Sequence, residues 1–499
     1  MRAVPHHSIC ESASAEPHVA DGNRPVSLNQ EGRLLHDETK GWSKVSRAPH
    51  FPLAFRIVGA FNLSNLERAL NVVIARHEGL RTDFVHSSRY TAQDRRMQLL
   101  TFLRTGLFVP GLYEQHVRDD GHIGLCERHV ETTEEPALTL VVEEEITKAA
   151  SSDTPHRPTA VVIRAERGAS VLLVVLSHLL ADGWSVQVFQ RELMALYGAY
   201  ERGSQPPPRA ASPRYSDFVV TQHREIITGG MNPHAAYWRE QWSRLGDAAV
   251  MHHEIPFHRH DASTPAIEMQ RHQTSPLETQ ASLAAARRLG TFPYVLFRTA
   301  FTAILHHYTG KRRIAYWANF ANRRRTDEDL FGWVAHTHLL TTELDADDRW
   351  SSACSRTATA VRDAQTHEAL PLQAVWRHTG KNLAAHLNGR INFDIWPTLR
   401  GTAFHELLEP MIIAGGRRWM DLDVRLRAEA GQFTLVATYN ASRYDRLGVA
   451  EMISLARALL RHTAGADLPV GIALDKATSL LRNHPCPLHS PSSGILALG

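Results

Sequence analysis

Three residues in the stretch Leu172 to Trp184 have the types and spacing for chemistry: His178, Asp182 and Gly183. A neutral imidazole, with an ordinary pKa of about 6.5, can take a proton from an attacking amine or hydroxyl at cellular pH. Asp182, four residues on, can orient that ring, or pair with an arginine and brace the loop. Gly183 lets backbone approach where a side chain would block substrate. The same residues also fit a buried histidine at a strand end followed by an Asp-Gly turn, so both readings stand at this point.

The flanking sequence supplies a platform. The apolar run Val171 to Leu176 suits a buried strand, and Ala160 to Arg164 precedes it through a turn at Glu166-Arg167-Gly168, so a hairpin feeds the loop. After the loop, Ser185 is a candidate N-cap for an amphipathic helix with Val186, Phe189, Leu193, Leu196 and Tyr200 on one face. Elsewhere, Leu63-Ser64-Asn65-Leu66-Glu67 reads as a capping box with Ser64 at the N-cap, opening a helix that stops at Gly79. Ser275-Pro276-Leu277-Glu278 reads as a second capping box, and a helix after Pro293 should end at Gly310. Strands are expected over Phe331 to Val334, Ile391 to Ile395, Leu422 to Leu426 and Phe433 to Tyr439, the last two as a hairpin near Gly431. Residues 87–160 carry only short elements by this reading. The proline-rich stretch Gly203 to Pro213 is the best linker.

At 499 residues the chain exceeds what one core usually serves, so two α+β lobes are expected. The division is a disordered leader over 1–25, a lobe over 26–205 with the His178 loop, a lobe over 206–470 and a tail over 471–499. A formal net charge of +3 gives no reason to expect nucleic acid or an anionic membrane as partner. Cys10, Cys126, Cys354 and Cys486 are too scattered for a disulfide framework or a zinc site, which favours a reducing cytoplasm. The longest apolar run is far short of the ~20 residues that span a bilayer. His252-His253-Glu254 and His306-His307 lack a third ligand at a familiar spacing, so no metal is expected. No glycine-rich phosphate loop occurs, so activation by ATP must happen elsewhere. The basic run Asn322 to Arg325 reads as a solvated loop, and Trp184 as channel wall or core.

Ser177 to Ser185 resembles the His-His-x-x-x-Asp-Gly motif of nonribosomal peptide synthetase condensation domains, within the chloramphenicol acetyltransferase-like superfamily. Five further stretches are similar to that family's motifs in the same order. Ser27-Leu28-Asn29-Gln30 resembles the opening motif, and Arg76 to Phe84 matches Arg-His-Glu-x-Leu-Arg-Thr-x-Phe almost letter for letter. Tyr215-Ser216-Asp217-Phe218, Phe331 to Thr337 and His367 to Leu372 follow. The similarity spans roughly residues 26 to 470. Three departures stand out: Ser177 replaces the first histidine, His336 stands where the family has Asn, and Glu368-Ala369 replace Gln-Asp.

The resemblance implies two chloramphenicol-acetyltransferase-like lobes arranged as a V around a central channel, with His178 at its middle. It implies a free-standing acyltransferase with no bound cofactor. The donor would be a phosphopantetheine thioester delivered by an acyl or peptidyl carrier protein, and the acceptor a small amine or alcohol. His178 would act as general base, Gly183 would offer its backbone N–H near the carbonyl oxygen, and Asp182 would be a brace salt-bridged to Arg81. Ser177, Trp184, Arg81 and His336 would line or support the channel. The rivals are a non-catalytic recruitment protein, motivated by Ser177 and His336, and an acyl-coenzyme A-dependent acetyltransferase.

Overall fold

The computed structural model describes residues 23–39, 50–105, 107–131, 135–152, 154, 156–165, 170–208, 214–246, 248–259, 267–379, 391–395, 408–413, 421–429, 431–483 and 495–497. The expected turn at 166–168, the end of the proline linker, nearly all of the leader, and Cys10 and Cys486 lie outside them.

Ser170–Ser177 is the central strand of a six-stranded sheet, and its position explains its composition. The order is Ile495–Ala497, Leu408–Ile413, His50–Ile57, Ser170–Ser177, Thr159–Ala165, Cys126–Val130. Leu172, Val174 and Leu176 pack on one face in a core that includes the helices Leu63–Arg76 and Gly183–Glu201. Val171, Leu173 and Val175 pack on the other with Leu138, Val142 and Ile146 of the helix Glu135–Ser151. A strand covered on both faces needs a continuous apolar run rather than an alternating one. The expected hairpin forms, Thr159–Ala165 pairing antiparallel with the central strand.

The second sheet runs His336–Glu343, Arg313–Phe320, Ile391–Ile395, Leu422–Glu429, Gln432–Asn440, Ile267–Gln273. Its hairpin turns at Gly431, whose φ of 77° is one that glycine adopts freely. The helix Pro293–Thr309 packs on it and ends at Gly310 in a left-handed conformation, and Ser275 and Glu278 form the expected capping box. Two strands of the first sheet, Leu408–Ile413 and Ile495–Ala497, come from beyond the proline linker, so that sheet is not built from residues before 206 alone. The expected tail also carries structure: a helix over Val470–Asn483 buries Val470, Ala473, Leu474 and Ala477 along one face. Residues 87–160, expected to hold only short elements, contain helices over Ala92–Thr105 and Glu135–Ser151.

Two cap assignments change. The helix Leu63–Arg76 is capped by Asn62, whose side chain accepts from Asn65 N at 3.1 Å, so Ser64 is already helical. The helix after the His178 loop is capped by Asp182, not Ser185, and starts at Gly183. Phe331 to Val334 is a loop, not a strand, and pairing begins at His336. The reason lies in where its amides go. Gly332 N donates to Ser185 Oγ, while Val334 N and Ala335 N donate to Asp182, which leaves them unavailable to a ladder.

Candidate active site

His178 follows the last residue of the central strand, in the turn that leads to the helix Gly183–Glu201. Its ring lies between Phe51 and Trp333, with centroids 4.6 Å and 4.3 Å away. Nδ1 is buried, has no hydrogen bond to another of the described residues, and faces the carbonyl of its own residue. Burial pushes the imidazole down to about 4; that carbonyl and Asp182 pull it up, and Arg33 and Arg425 push it down. The ring is therefore neutral at cellular pH. With the proton on Nδ1, toward the carbonyl, Nε2 holds the lone pair.

Asp182 is the hub beneath it. Oδ1 accepts from Ser185 N at 2.8 Å, Ser185 Oγ at 2.9 Å and Arg323 Nη2 at 3.0 Å. Oδ2 accepts from Arg323 Nη1 at 2.8 Å, Val334 N at 3.0 Å and Ala335 N at 2.8 Å. Burial would raise this carboxyl, but the Arg323 charge and the hydrogen bonds outweigh it and hold it below its usual value. The expected partner is thus corrected: Asp182 pairs with Arg323, while Arg81 donates to the Arg118 carbonyl. Arg323 belongs to the run read as a solvated loop, yet only 1% of its side chain is exposed. Its guanidinium fits a carboxylate in two-pronged fashion, the arrangement that best repays burial of both charges.

The other motif stretches converge on the same loop. Gln30 Nε2 donates to Leu179 O at 2.8 Å, and its Oε1 accepts from Ser27 N. Tyr215 Oη lies 3.1 Å from both Ser27 Oγ and Trp333 O. A Cβ on Gly332 would overlap the Tyr215 ring, so the approach of these two requires glycine. Glu78 Oε1 accepts from Ser216 N at 2.6 Å, and a Cβ on Gly79 would lie 3.6 Å from Leu180 O. Trp184 Nε1 donates to Glu328 O at 2.8 Å. Glu368, from the stretch with Glu-Ala for Gln-Asp, is pushed up to about 7 by burial, against the Asn322 backbone and the Arg323 charge.

His336 is buried beside Asn29, whose Nδ2 lies 3.0 Å from its Nδ1 and 3.2 Å from Ala335 O. Burial pushes its imidazole down to about 3. It therefore serves as a neutral hydrogen-bonding group, the kind of role an Asn side chain can fill. On the second sheet, Thr337, Asn319, Asp394 and Arg425 fall side by side on four neighbouring strands. Thr337 donates to Asn319 Oδ1, and Asn319 Nδ2 donates to Asp394 at 2.8 Å. The Arg425 charge at the end of this polar row is one of those that push the His178 imidazole down. Sequence reasoning missed that row, Arg323, Trp333 and His156, whose ring meets Ser177. The alternating polar positions in two strands were the available signal for the row.

Of the motifs set aside for metal, Glu254 pairs with Lys311 at 2.7 Å and His306 Nδ1 lies 2.7 Å from Lys311 O. No group of three or more potential ligands assembles among the described residues. Among them, too, no helix is long and apolar enough to cross a membrane.

A family model described as Condensation domain matches residues 114–466. The chain is 26% identical over 432 residues to chondramide synthase cmdD of Chondromyces crocatus, covering 83% of this chain and 10% of that protein. To malpibaldin synthetase of Mortierella alpina it is 27% identical over 340 residues, covering 66% and 6%. The chain therefore spans a tenth or less of the length of these relatives. Among solved structures, SgcC5 from Streptomyces globisporus superposes with a TM-score of 0.68 at 21% identity, covering 89% of this chain and 100% of that one. The X-domain from teicoplanin biosynthesis gives 0.68 at 20% identity, covering 91% and 98%.

Proposed function

The chain belongs to the condensation-domain family and has its fold, two chloramphenicol-acetyltransferase-like α+β lobes arranged as a V; from that premise we propose that it transfers an acyl group from a carrier-protein phosphopantetheine thioester to an amine or alcohol. The acceptor nitrogen or oxygen bonds to the thioester carbonyl carbon, the carbon–sulfur bond breaks, and the pantetheine leaves as a thiol. The proton lost by the acceptor passes to His178 Nε2 and then to the departing sulfur, so the reaction needs no further reactant.

The observation that carries this reading is the neutral imidazole held between Phe51 and Trp333 over the Asp182 clamp. A ring that protonates only near 4 is too weak a base to strip an ammonium ion. The acceptor amine must arrive uncharged, and His178 takes its proton as the carbon–nitrogen bond forms. Gly183, the first residue of its helix, has a backbone N–H without an intrahelical acceptor, suited to the oxygen that gains charge. Asp182 braces the loop. Trp184 and Ser177 support it, Arg81 lies outside the clamp, and His336 stands on the acceptor side.

The test is His178→Ala with a donor loaded on a carrier protein and a panel of amines and alcohols. Product formation should fall by roughly 10²–10⁴-fold with the fold intact; a variant that keeps most of the activity refutes the assignment. Acetyl-coenzyme A offered without any carrier tests the alternative donor. One observation favours a second reading, recruitment without catalysis: the superposed X-domain is also solved in complex with OxyB. Binding of a carrier protein or a tailoring enzyme by wild type, with no turnover across the panel, would select it.

A further inference from the structure

Ser177 is buried, so its hydroxyl needs partners, and the described residues supply two. Leu179 N donates to Ser177 Oγ at 3.3 Å, and His156 Nδ1 lies 3.3 Å away on the other side. An amide can only donate, so Oγ is the acceptor toward Leu179, and it makes its second hydrogen bond with His156 Nδ1. The result is a hydrogen-bonded chain from Leu179 N through Ser177 Oγ to His156 Nδ1.

His156 reaches this point from a different element, and its neighbours fix it there. Arg157 forks onto Asp83 with bonds of 3.0 Å and 2.7 Å, and the Phe84 ring meets the His156 ring edge-on at 5.8 Å. Both partners lie on the strand Thr82–His86. The position where the family motif carries its first histidine thus holds a short hydroxyl here, and an imidazole from 21 residues upstream completes its hydrogen bonding.

The peptide group this chain grips joins His178 to Leu179. Its N–H is the one that Ser177 holds, and its carbonyl is the one that His178 Nδ1 faces. Fixing one end of a planar peptide fixes the other. We propose that His156 is a positioning residue: acting through Ser177, it sets the 178–179 peptide plane, and so the tautomer and orientation of the His178 ring.

The inference rests on His178 as the working residue, yet its test needs no turnover. With ¹⁵N-labelled histidine in the full chain, ring shifts report the tautomer of His178, which is assigned by its loss in His178→Asn. Wild type should show a single form with the proton on Nδ1. His156→Ala and Ser177→Ala should each weaken that preference about fivefold, the worth of roughly one hydrogen bond. The double variant should go no further, and His156→Gln, whose amide oxygen can accept from Ser177, should restore it. Unchanged His178 signals in folded His156→Ala, or effects of the two alanine variants that add, overturn the proposal. Should His156→Ala fail to fold, His156→Phe, which keeps a ring and removes the hydrogen-bonding nitrogen, takes its place. Absence of turnover in every protein, wild type included, would count against the transferase reading and leave this result standing.

Discussion

Replacing Arg323 by Met tests the clamp at its strongest point. The substitution keeps an unbranched apolar stem and removes the charged guanidinium. Asp182 keeps four donors, Ser185 N, Ser185 Oγ, Val334 N and Ala335 N, and loses the two-pronged guanidinium. With the pair 1% and 3% exposed, the carboxylate is left buried and uncompensated, a loss of about 3–5 kcal/mol. Set against a usual total of about 5–15 kcal/mol, that is a large share of the stability. Arg81→Met removes a bond to a neutral carbonyl and should lose about 1 kcal/mol. Urea unfolding followed by tryptophan fluorescence at pH 7.5 ranks the two variants. The sign with pH follows from Arg323 holding Asp182 ionised in the fold. That contribution is full above the unfolded carboxyl pKa of about 3.9 and is lost as pH falls through the lower folded value. In Arg323→Met the carboxyl protonates earlier, so the gap to wild type should narrow on acidification. A deficit below about 1 kcal/mol, or a larger one for Arg81→Met, refutes the clamp.

Two further substitutions probe the surroundings. His336 is neutral in the fold and pushed down to about 3, so the unfolded chain binds a proton there from about pH 6.5 downward, and stability falls with pH across that window. His336→Asn removes the titration, and from pH 7 to 5 it should lose about 2 kcal/mol less than wild type in urea unfolding; equal losses would contradict the buried neutral ring. Gly332→Ala should lower the melting temperature sharply through its collision with Tyr215, by roughly 1–3 kcal/mol, and a smaller residue at 215 should relieve it; a neutral Gly332→Ala would refute the close approach.

The sequence made the platform legible because its signals are local. The apolar run, the polar turn and the amphipathic helix are contiguous, and six motif stretches stand in order. What it concealed is pairing over distance. Arg323 lies 141 residues from Asp182 and is flanked by Arg324 and Arg325, so nothing in residue type separates the buried arginine from its neighbours. The choice of Arg81 followed motif analogy, and the fold supplied a different cation. The loop at Phe331 to Val334 resembles a strand because it is apolar, but a carboxylate from the other half takes its amides. Ser64 and Ser185 were reasonable caps, each outcompeted by an equally good cap two or three residues upstream. His156 sits in a Ser- and Pro-rich stretch with no periodicity to mark it.

The passage of Leu408–Ile413 into the first sheet bears on how the molecule can be divided. It pairs along His50–Ile57, from Leu408 opposite Ile57 to Met411 opposite Ala54. A fragment ending at the proline linker would leave that edge as a row of unsatisfied amides and carbonyls, a template for any extended chain. Halves made separately would therefore be partners rather than independent modules, each carrying part of the other's structure. The same pairing ties the later part of the chain to the earlier one at that edge.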